Sequence, residues 1–488
     1  MRVRLVSLIG LVAAVPALAS SSSKDPTWWQ KYQFIQAGTD TGAVGTTGSA
    51  TVGSNVNVSN ECGPQSETFI TMLNTQIIAA GSNEIFRLPM RGYSSFDGGN
   101  TWTGTDLPLP PPIGSNGIDF GSDPSLAWDT KGTLFYGYIV VFFSNGTGIN
   151  GTELAVSRSF DGGLTWTPTF FSFSGGKNHF NDKPMITTDR NGSSPFRDRV
   201  YIAWDAASGG SATGGGVLVA TSSDGGKTFG IVRVDDPHGP GRAIGAVPFT
   251  GPNGELYVAW NDFAANTIAF SRSFDGGASF GGRTVIAPKT IPFDIGIPAE
   301  FSRRALVYPA CDADRSTGPH RGRLYCSWMD AGERGTDIFL STSDDRGSSW
   351  SSPRPVGDRL GFAVDRFNHW LAVDPITGDV VVSFYDTRND TTGQRFETDI
   401  YLARSKDGGA TFAPDIRVST ESSNEHDCNG LFPCSAIDYG NQQGDYEGVA
   451  SYGGVAHPIW TDSRQNTDPA PGCRTGMKME EVFTATVE

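Results

Sequence analysis

The 488-residue chain carries 62 glycines and 29 prolines with 11% aromatic and only 18% charged residues, which excludes a disordered acidic chain and a helical bundle rich in Glu, Lys and Leu. Its 37 basic against 52 acidic side chains give a net charge of −15, so no global basic surface is offered to nucleic acid or to an anionic membrane. A large, turn-rich β protein remains.

The first element is a leader. Arg2 and Arg4 form a basic start, Leu5 to Val15 is apolar, and Ala17-Leu18-Ala19 is a small-residue cleavage pattern, so residues 1–19 read as a secretory signal. The apolar run is too short for the ~20 residues of a membrane span, and no later stretch approaches that length. A secreted, extracellular protein without a membrane span is expected. Six cysteines fit an oxidising compartment; the short spacings pair Cys311 with Cys326 and Cys428 with Cys434, which leaves Cys62 to join Cys473 near the other end. Sequons at Asn57, Asn145, Asn150, Asn191 and Asn389 agree with a secreted glycoprotein.

One octapeptide then recurs six times, beginning at Ser95, Ser159, Ser222, Ser273, Ser343 and Ser405. It reads SFDGGNTW, SFDGGLTW, SSDGGKTF, SFDGGASF, SDDRGSSW and SKDGGATF, with starts separated by 64, 63, 51, 70 and 62 residues. Each copy follows an alternating run such as Leu154 to Arg158 or Ile400 to Arg404 and ends in an aromatic, so each predicts a hairpin turn. The Asp accepts backbone N–H bonds, the glycines supply positive φ and the aromatic buries its ring, which makes these aspartates structural rather than catalytic. Upstream of the boxes recurs a strand such as Val200 to Asp205, Leu256 to Asp262, Leu324 to Asp330, Val381 to Asp386 and, without a following box, His457 to Asp462. A shorter strand precedes each of these.

Three strands plus the one after the box make a four-stranded antiparallel unit, and radial repetition of such units makes an all-β propeller. Counting first strands from Glu67 to Glu447 gives seven blades, with six as the alternative. The last unit lacks a box, so its outer strand is expected from residues 20–62, near Asn55 to Val58, with residues 63–488 forming the propeller proper. If the boxes join third to fourth strands on one face, the pocket belongs on the opposite face. Its candidates are Glu67, Asp123, His179, Asp182, Lys183, Arg334, His369, Asp386, Arg388, Asp445, Tyr446, Glu447, Asp462 and Arg464. Asp205, Asp262, Asp330, Asp386 and Asp462 share what reads as one place at second-strand ends, and such repetition argues for a turn role. Arg388 and Arg464 are additions to that theme whose planar guanidinium groups suit a substrate carboxylate, unless neighbouring aspartates occupy them. His179 and His369 begin blades without a zinc motif, so no metal ligands are assigned; no cofactor is required, and calcium on acidic loops stays open.

The boxes fit the Ser-x-Asp-x-Gly-x-Thr-Trp pattern, and the chain from Glu67 onward resembles secreted sialidase-like Asp-box proteins, bacterial neuraminidase repeats among them. Asp182-Lys183-Pro184, Tyr385 to Arg388, Gly444 to Gly448 and Trp460 to Arg464 are similar to segments of that group, and Phe86-Arg87-Leu88-Pro89 to its Arg-containing early motif. The resemblance implies an exo-glycosidase acting on an extracellular glycan, in a sialidase by way of a Tyr–Glu nucleophile pair and an Asp acid. Carried to this chain, these would be Tyr446, Glu447 and Asp182, with Asp123, His369, Arg388 and Arg464 on a substrate with an acidic sugar, and a monomer is expected. Adjacent strand residues face opposite sides, so Tyr446 and Glu447 meet one pocket only across a bulge. A non-catalytic glycan- or protein-binding propeller and a polysaccharide lyase are the alternatives.

Overall fold

A computed structural model describes residues 51–61, 65–84, 89–110, 120–143, 149–168, 171–173, 179–208, 216–235, 243–300, 304–426, 443–464 and 480–488. The leader, Phe86 to Leu88, Asn145, Cys62, Cys428, Cys434 and Cys473 lie outside them. Among the described residues there is no helix, and none long and apolar enough to cross a membrane.

Seven four-stranded antiparallel sheets follow one another along the chain and form a seven-bladed propeller. The first strands are Gln65–Met72, Phe120–Trp128, His179–Thr188, Ala243–Thr250, Ala310–Ala313, Arg366–Val373 and Gly448–Tyr452, and each neighbours the next around the ring, the seventh returning to the first. They are therefore innermost, and each blade runs outward from them. In the seventh blade the outermost strand is Val56–Asn57, whose residues pair with Thr484 and Phe483. Val52 bridges Val487 in the same sheet. Segments from both ends of the described chain thus share one blade and close the ring.

Second strands carry the core. Pairing register places Tyr138, Trp204, Trp260, Trp328, Phe384 and Trp460 at one position in blades 2 to 7, each no more than 1% exposed. Large rings at matching places fill the widening gaps between twisted sheets. Cys311 and Cys326 are cross-strand partners in blade 5 and form a disulfide.

The octapeptides join third to fourth strands in blades 1 to 6. In each the Ser hydroxyl donates to the Asp carboxylate, as from Ser159 to Asp161 at 2.7 Å, and accepts the N–H of the second glycine position, Gly163 at 2.8 Å. The same carboxylate accepts the N–H four residues on, Thr165 at 2.8 Å, and that residue's hydroxyl. All of these bonds stay within the turn, which is the structural role the spacing predicted. Asp161→Ala strips three donors of their acceptor at once and is expected to lower unfolding stability by about 2 kcal/mol. Urea unfolding checks this, and an unchanged midpoint would show that the carboxylate does not hold the turn.

Candidate functional site

The innermost strands are not regular. In blades 1, 2, 3, 4 and 6 the register slips between Ser66 and Phe69, Ser122 and Ser125, Asp182 and Met185, Ile244 and Val247, and Phe367 and Trp370. Each slip holds one residue at positive φ: Glu67 (51°), Asp123 (57°), Lys183 (49°), Gly245 (71°) and Asn368 (44°). A left-handed backbone strains any residue but glycine, and strained bulges recur where a side chain is re-aimed at a functional site. Here three of the five carry charge.

The bulge N–H groups, lost to their own ladder, are taken up by the neighbouring blade. Asp123 donates to the Asn83 side chain at 2.7 Å, Lys183 to the Asp123 carboxylate at 3.0 Å and Gly245 to the Asp205 carboxylate at 2.8 Å. Asn83 also donates to Glu67 at 2.8 Å. Asp205 follows Trp204 directly, whereas Asp262, Asp330 and Asp462 stand two places after their tryptophans and Asp386 two after Phe384. The five aspartates are therefore not equivalent: an offset of one residue turns Asp205 to the other sheet face, where it pairs across the strands with Asp182. The other four anchor structure. Asp262 meets Arg283, and Asp330 accepts the N–H groups of Thr290 and Ile291.

Glu67, Asp123, Asp182 and Asp445 thus surround one cation, Lys183, whose charge also reaches Asp205. Its ammonium lies 3.6 Å from the centre of the Tyr308 ring and 3.3 Å from that of Tyr446. Lys183 is 2% exposed and its Nζ makes no hydrogen bond, so the rings and the surrounding carboxylates hold the charge. Burial pulls the Lys183 pKa below its usual value, opposed by Asp445, Glu67, Asp123 and Asp182.

The two adjacent carboxyls part ways. Burial, then the charge of and hydrogen bond with Asp123, push the Asp182 pKa well above the ordinary range, and Asp205 and Asp445 add to this. Burial also works against ionised Asp123, but hydrogen bonds from Glu67, Asp182 and Ser122, together with the charge of Lys183, outweigh it and hold its pKa low. Asp205 rises well above the range, chiefly through burial. Burial and charge thus favour the protonated form at Asp182 and the ionised form at Asp123. Asp182 is half-buried and so reachable from solvent, as is Asp445, which accepts from the Tyr308 hydroxyl at 3.2 Å.

Of the residues nominated from sequence, Glu67, Asp123, Asp182, Lys183, Asp445 and Tyr446 come together. The Tyr446 hydroxyl donates to the Pro124 carbonyl at 3.3 Å, and burial with the nearby carboxylates pushes its pKa well above the usual value, opposite to an activated nucleophile. Glu447 is set apart. Both residues precede the strand that begins at Gly448; the buried Glu447 carboxyl lies toward Ser383 of blade 6 while the Tyr446 ring lies against Lys183, so the Tyr446–Glu447 pair does not form at one pocket. His369 is buried against the Ser327 backbone of blade 5, and burial brings its pKa down to about 4.

Arg388 reaches Asp386 at 2.7 Å, Asp415 at 2.6 Å and Asp358 at 3.3 Å and lies over the Tyr401 ring. Arg464 is bidentate to Asp462, at 2.8 and 2.6 Å, and also donates to Asn55 and Thr420. Both guanidinium groups are occupied within the outer part of their blades. Among the described residues no three acidic, histidine or cysteine side chains are placed to hold a metal ion. Tyr308 escaped the sequence reading; its one signal was its place just before the short first strand of blade 5.

A cavity of about 440 Å³ lies at the other end of the innermost strands, with Met185, Phe249, Trp370, Arg190 and Arg315 among its lining residues. It adjoins the turns between first and second strands, on the same side as the octapeptides, and not the side where the pocket was expected.

No family model matches the chain, and no curated protein does. Among solved structures it is similar to the Hadza microbial sialidase Hz136 at 15% identity and a TM-score of 0.45, over 66% of this chain and 63% of that one, so it spans less than two thirds of that protein's length. It is also similar to the intramolecular trans-sialidase of Ruminococcus gnavus, at 13% identity and a TM-score of 0.46 over 72% of this chain and 96% of that one. A third is the α-L-arabinofuranosidase of Fusarium graminearum, at 13% identity and a TM-score of 0.47 over 72% and 98%.

Proposed function

We propose that the chain is a secreted glycoside hydrolase acting on an extracellular glycan, with Asp182 as the proton donor to the departing glycosidic oxygen. One observation carries this reading: two touching carboxyls at the bulged end of the channel have environments that drive their protonation apart, Asp182 up and Asp123 down. Such divergence is how a single site keeps one carboxyl as acid beside another that stays ionised. Glycosidic cleavage asks for that combination of a protonated donor and a neighbouring carboxylate.

In this reading Asp123 orients Asp182 through their shared hydrogen bond and tightens its hold on the proton. Asp445, half-buried and close enough to raise Asp182, supplies the second carboxylate facing substrate, as nucleophile or as base toward water. Lys183 limits the repulsion among these groups. The ring of Tyr446 closes the ammonium in and is a wall of the site rather than its nucleophile.

Asp182→Asn is expected to reduce kcat/KM at least ~100-fold, as loss of a general acid does. Wild-type activity must fall as pH rises through the elevated Asp182 pKa, and the residual activity of the variant must lack that limb. A pH–rate profile on a turned-over glycan checks both; an unchanged rate or a retained limb would move the proton donor elsewhere.

The same shift has a stability consequence. Because the folded pKa of Asp182 lies above its unfolded value, folding binds its proton, and the stability it confers is complete below the unfolded pKa and lost as pH rises toward the folded one. Asp182→Asn removes that loss, so its melting temperature relative to wild type should climb between pH 5 and pH 8. Thermal unfolding at the two pH values checks this, with a pH-independent difference as the contrary result.

A further inference from the structure

The cavity at the octapeptide end of the innermost strands takes no part in the proposed hydrolysis, and its walls divide by chemistry. The first strands line it with apolar groups, among them Phe69, Met185, Phe249 and Trp370, and the rings of Phe69 and Trp370 meet edge to face at 5.6 Å. The turns that follow the first strands of blades 3 and 5 add Arg190, Arg315 and Arg321. Among the described lining residues Asp312 is the one acid. A chain of net charge −15 thus gathers a positive excess at one end of its channel.

Two of these arginines are fixed by backbone carbonyls. Arg190 reaches past blade 2 and donates to the Met72 and Leu73 carbonyls of blade 1 at 2.9 and 2.8 Å. Arg321, exposed, donates to the carbonyls of Arg315 and Ser316 at 3.0 Å each and of Pro252 at 3.2 Å. A carbonyl orients a guanidinium without cancelling its charge. Arg315 is instead bidentate to Asp312, whose carboxylate also accepts the Val373 N–H at 2.9 Å.

We propose that this cavity binds an organic carboxylate with a flat apolar body, the body lying against Phe249, Met185 and Trp370 and the carboxylate drawn to the arginine-bearing turns. Its volume of about 440 Å³ suits a small molecule, for which cavities of roughly 300–1,000 Å³ with mostly apolar walls and a few placed polar groups are usual. Aromatic walls favour a flat body, and guanidinium groups favour a carboxylate over a neutral head. The inference is independent of the hydrolase reading, because the cavity lies at the other end of the strands from Asp182, and either can fail alone.

The test is calorimetric titration of the full chain with 2-naphthoate, with 2-naphthamide, which has the same body uncharged, and with acetate, which has the charge without the body. Naphthoate is expected to bind at least ~10-fold more tightly than either, the margin that a hydrogen bond to a charged group supplies. The double variant Arg190→Gln with Arg321→Gln should erase that margin and leave naphthamide binding unchanged. Thr187→Trp, which places an indole in the cavity, should abolish binding of both aromatic compounds.

Thermal unfolding establishes that each variant is folded. If the double variant is not, Arg321→Gln alone decides, with naphthoate weakened ~3-fold and its affinity, but not that of naphthamide, falling as sodium chloride rises from about 0.05 to about 0.5 M. Equal binding of naphthamide, acetate binding as tight as naphthoate, binding that survives Thr187→Trp, or no binding at all overturns the proposal.

Discussion

The interaction on which the site depends is the bond from a bulge N–H in one innermost strand to a polar side chain of the blade before it. At Asp123, Lys183 and Gly245 the backbone sits at positive φ, and the bond to Asn83, Asp123 or Asp205 satisfies the amide that the bulge takes out of the ladder. A buried unpaired N–H would cost about 1–3 kcal/mol, so the bonds from blade to blade are what make the bulges tolerable. They also fix the aim of the bulge side chains. The strain and the acid cluster share one set of atoms, because the acceptors Asp123 and Asp205 are members of that cluster.

The cluster illustrates how a propeller gathers charge through repetition. Seven similar strands bring seven similar positions to one axis, and residues far apart in sequence, from Glu67 to Tyr446, become neighbours. Crowded carboxyls are unfavourable for stability, and Lys183 is the local compensation. Its placement between two aromatic rings gives the ammonium a partner that does not compete for the carboxylate oxygens. Asp182 thereby stays close to several acids, which favour its protonated form, without a direct ion pair among the described residues.

Much of the architecture was legible because it repeats. Six octapeptides at near-constant spacing, each with a Ser–Asp–Gly–Thr logic confined to its own turn, marked the blades, and the missing seventh box pointed to an outer strand near Asn55 to Val58, where Val56–Asn57 is found. The site was less legible because bulges break the alternation on which sequence reading relies. Asp205 looked like one more second-strand aspartate, yet a one-residue offset from its tryptophan sends it to the other face. Tyr446 and Glu447 looked like a pair, yet the segment before the strand sends one against Lys183 and the other toward Ser383. Arg388 and Arg464 showed charge but not its occupancy, since Asp415 and Asn55 reach them only through the fold. Lys183 was visible as a residue, while its role depends on Tyr308, from a different blade.

The most direct measurement is a carbon-13 NMR titration of the aspartate side-chain carboxyls, with Asp182→Asn and Asp123→Asn used for assignment. The account predicts that the Asp182 resonance keeps the chemical shift of a protonated carboxyl well above the pH at which ordinary aspartates ionise, while Asp123 remains ionised below it. Titration of Asp182 in the ordinary range, or a proton residing on Asp123 instead, would contradict it.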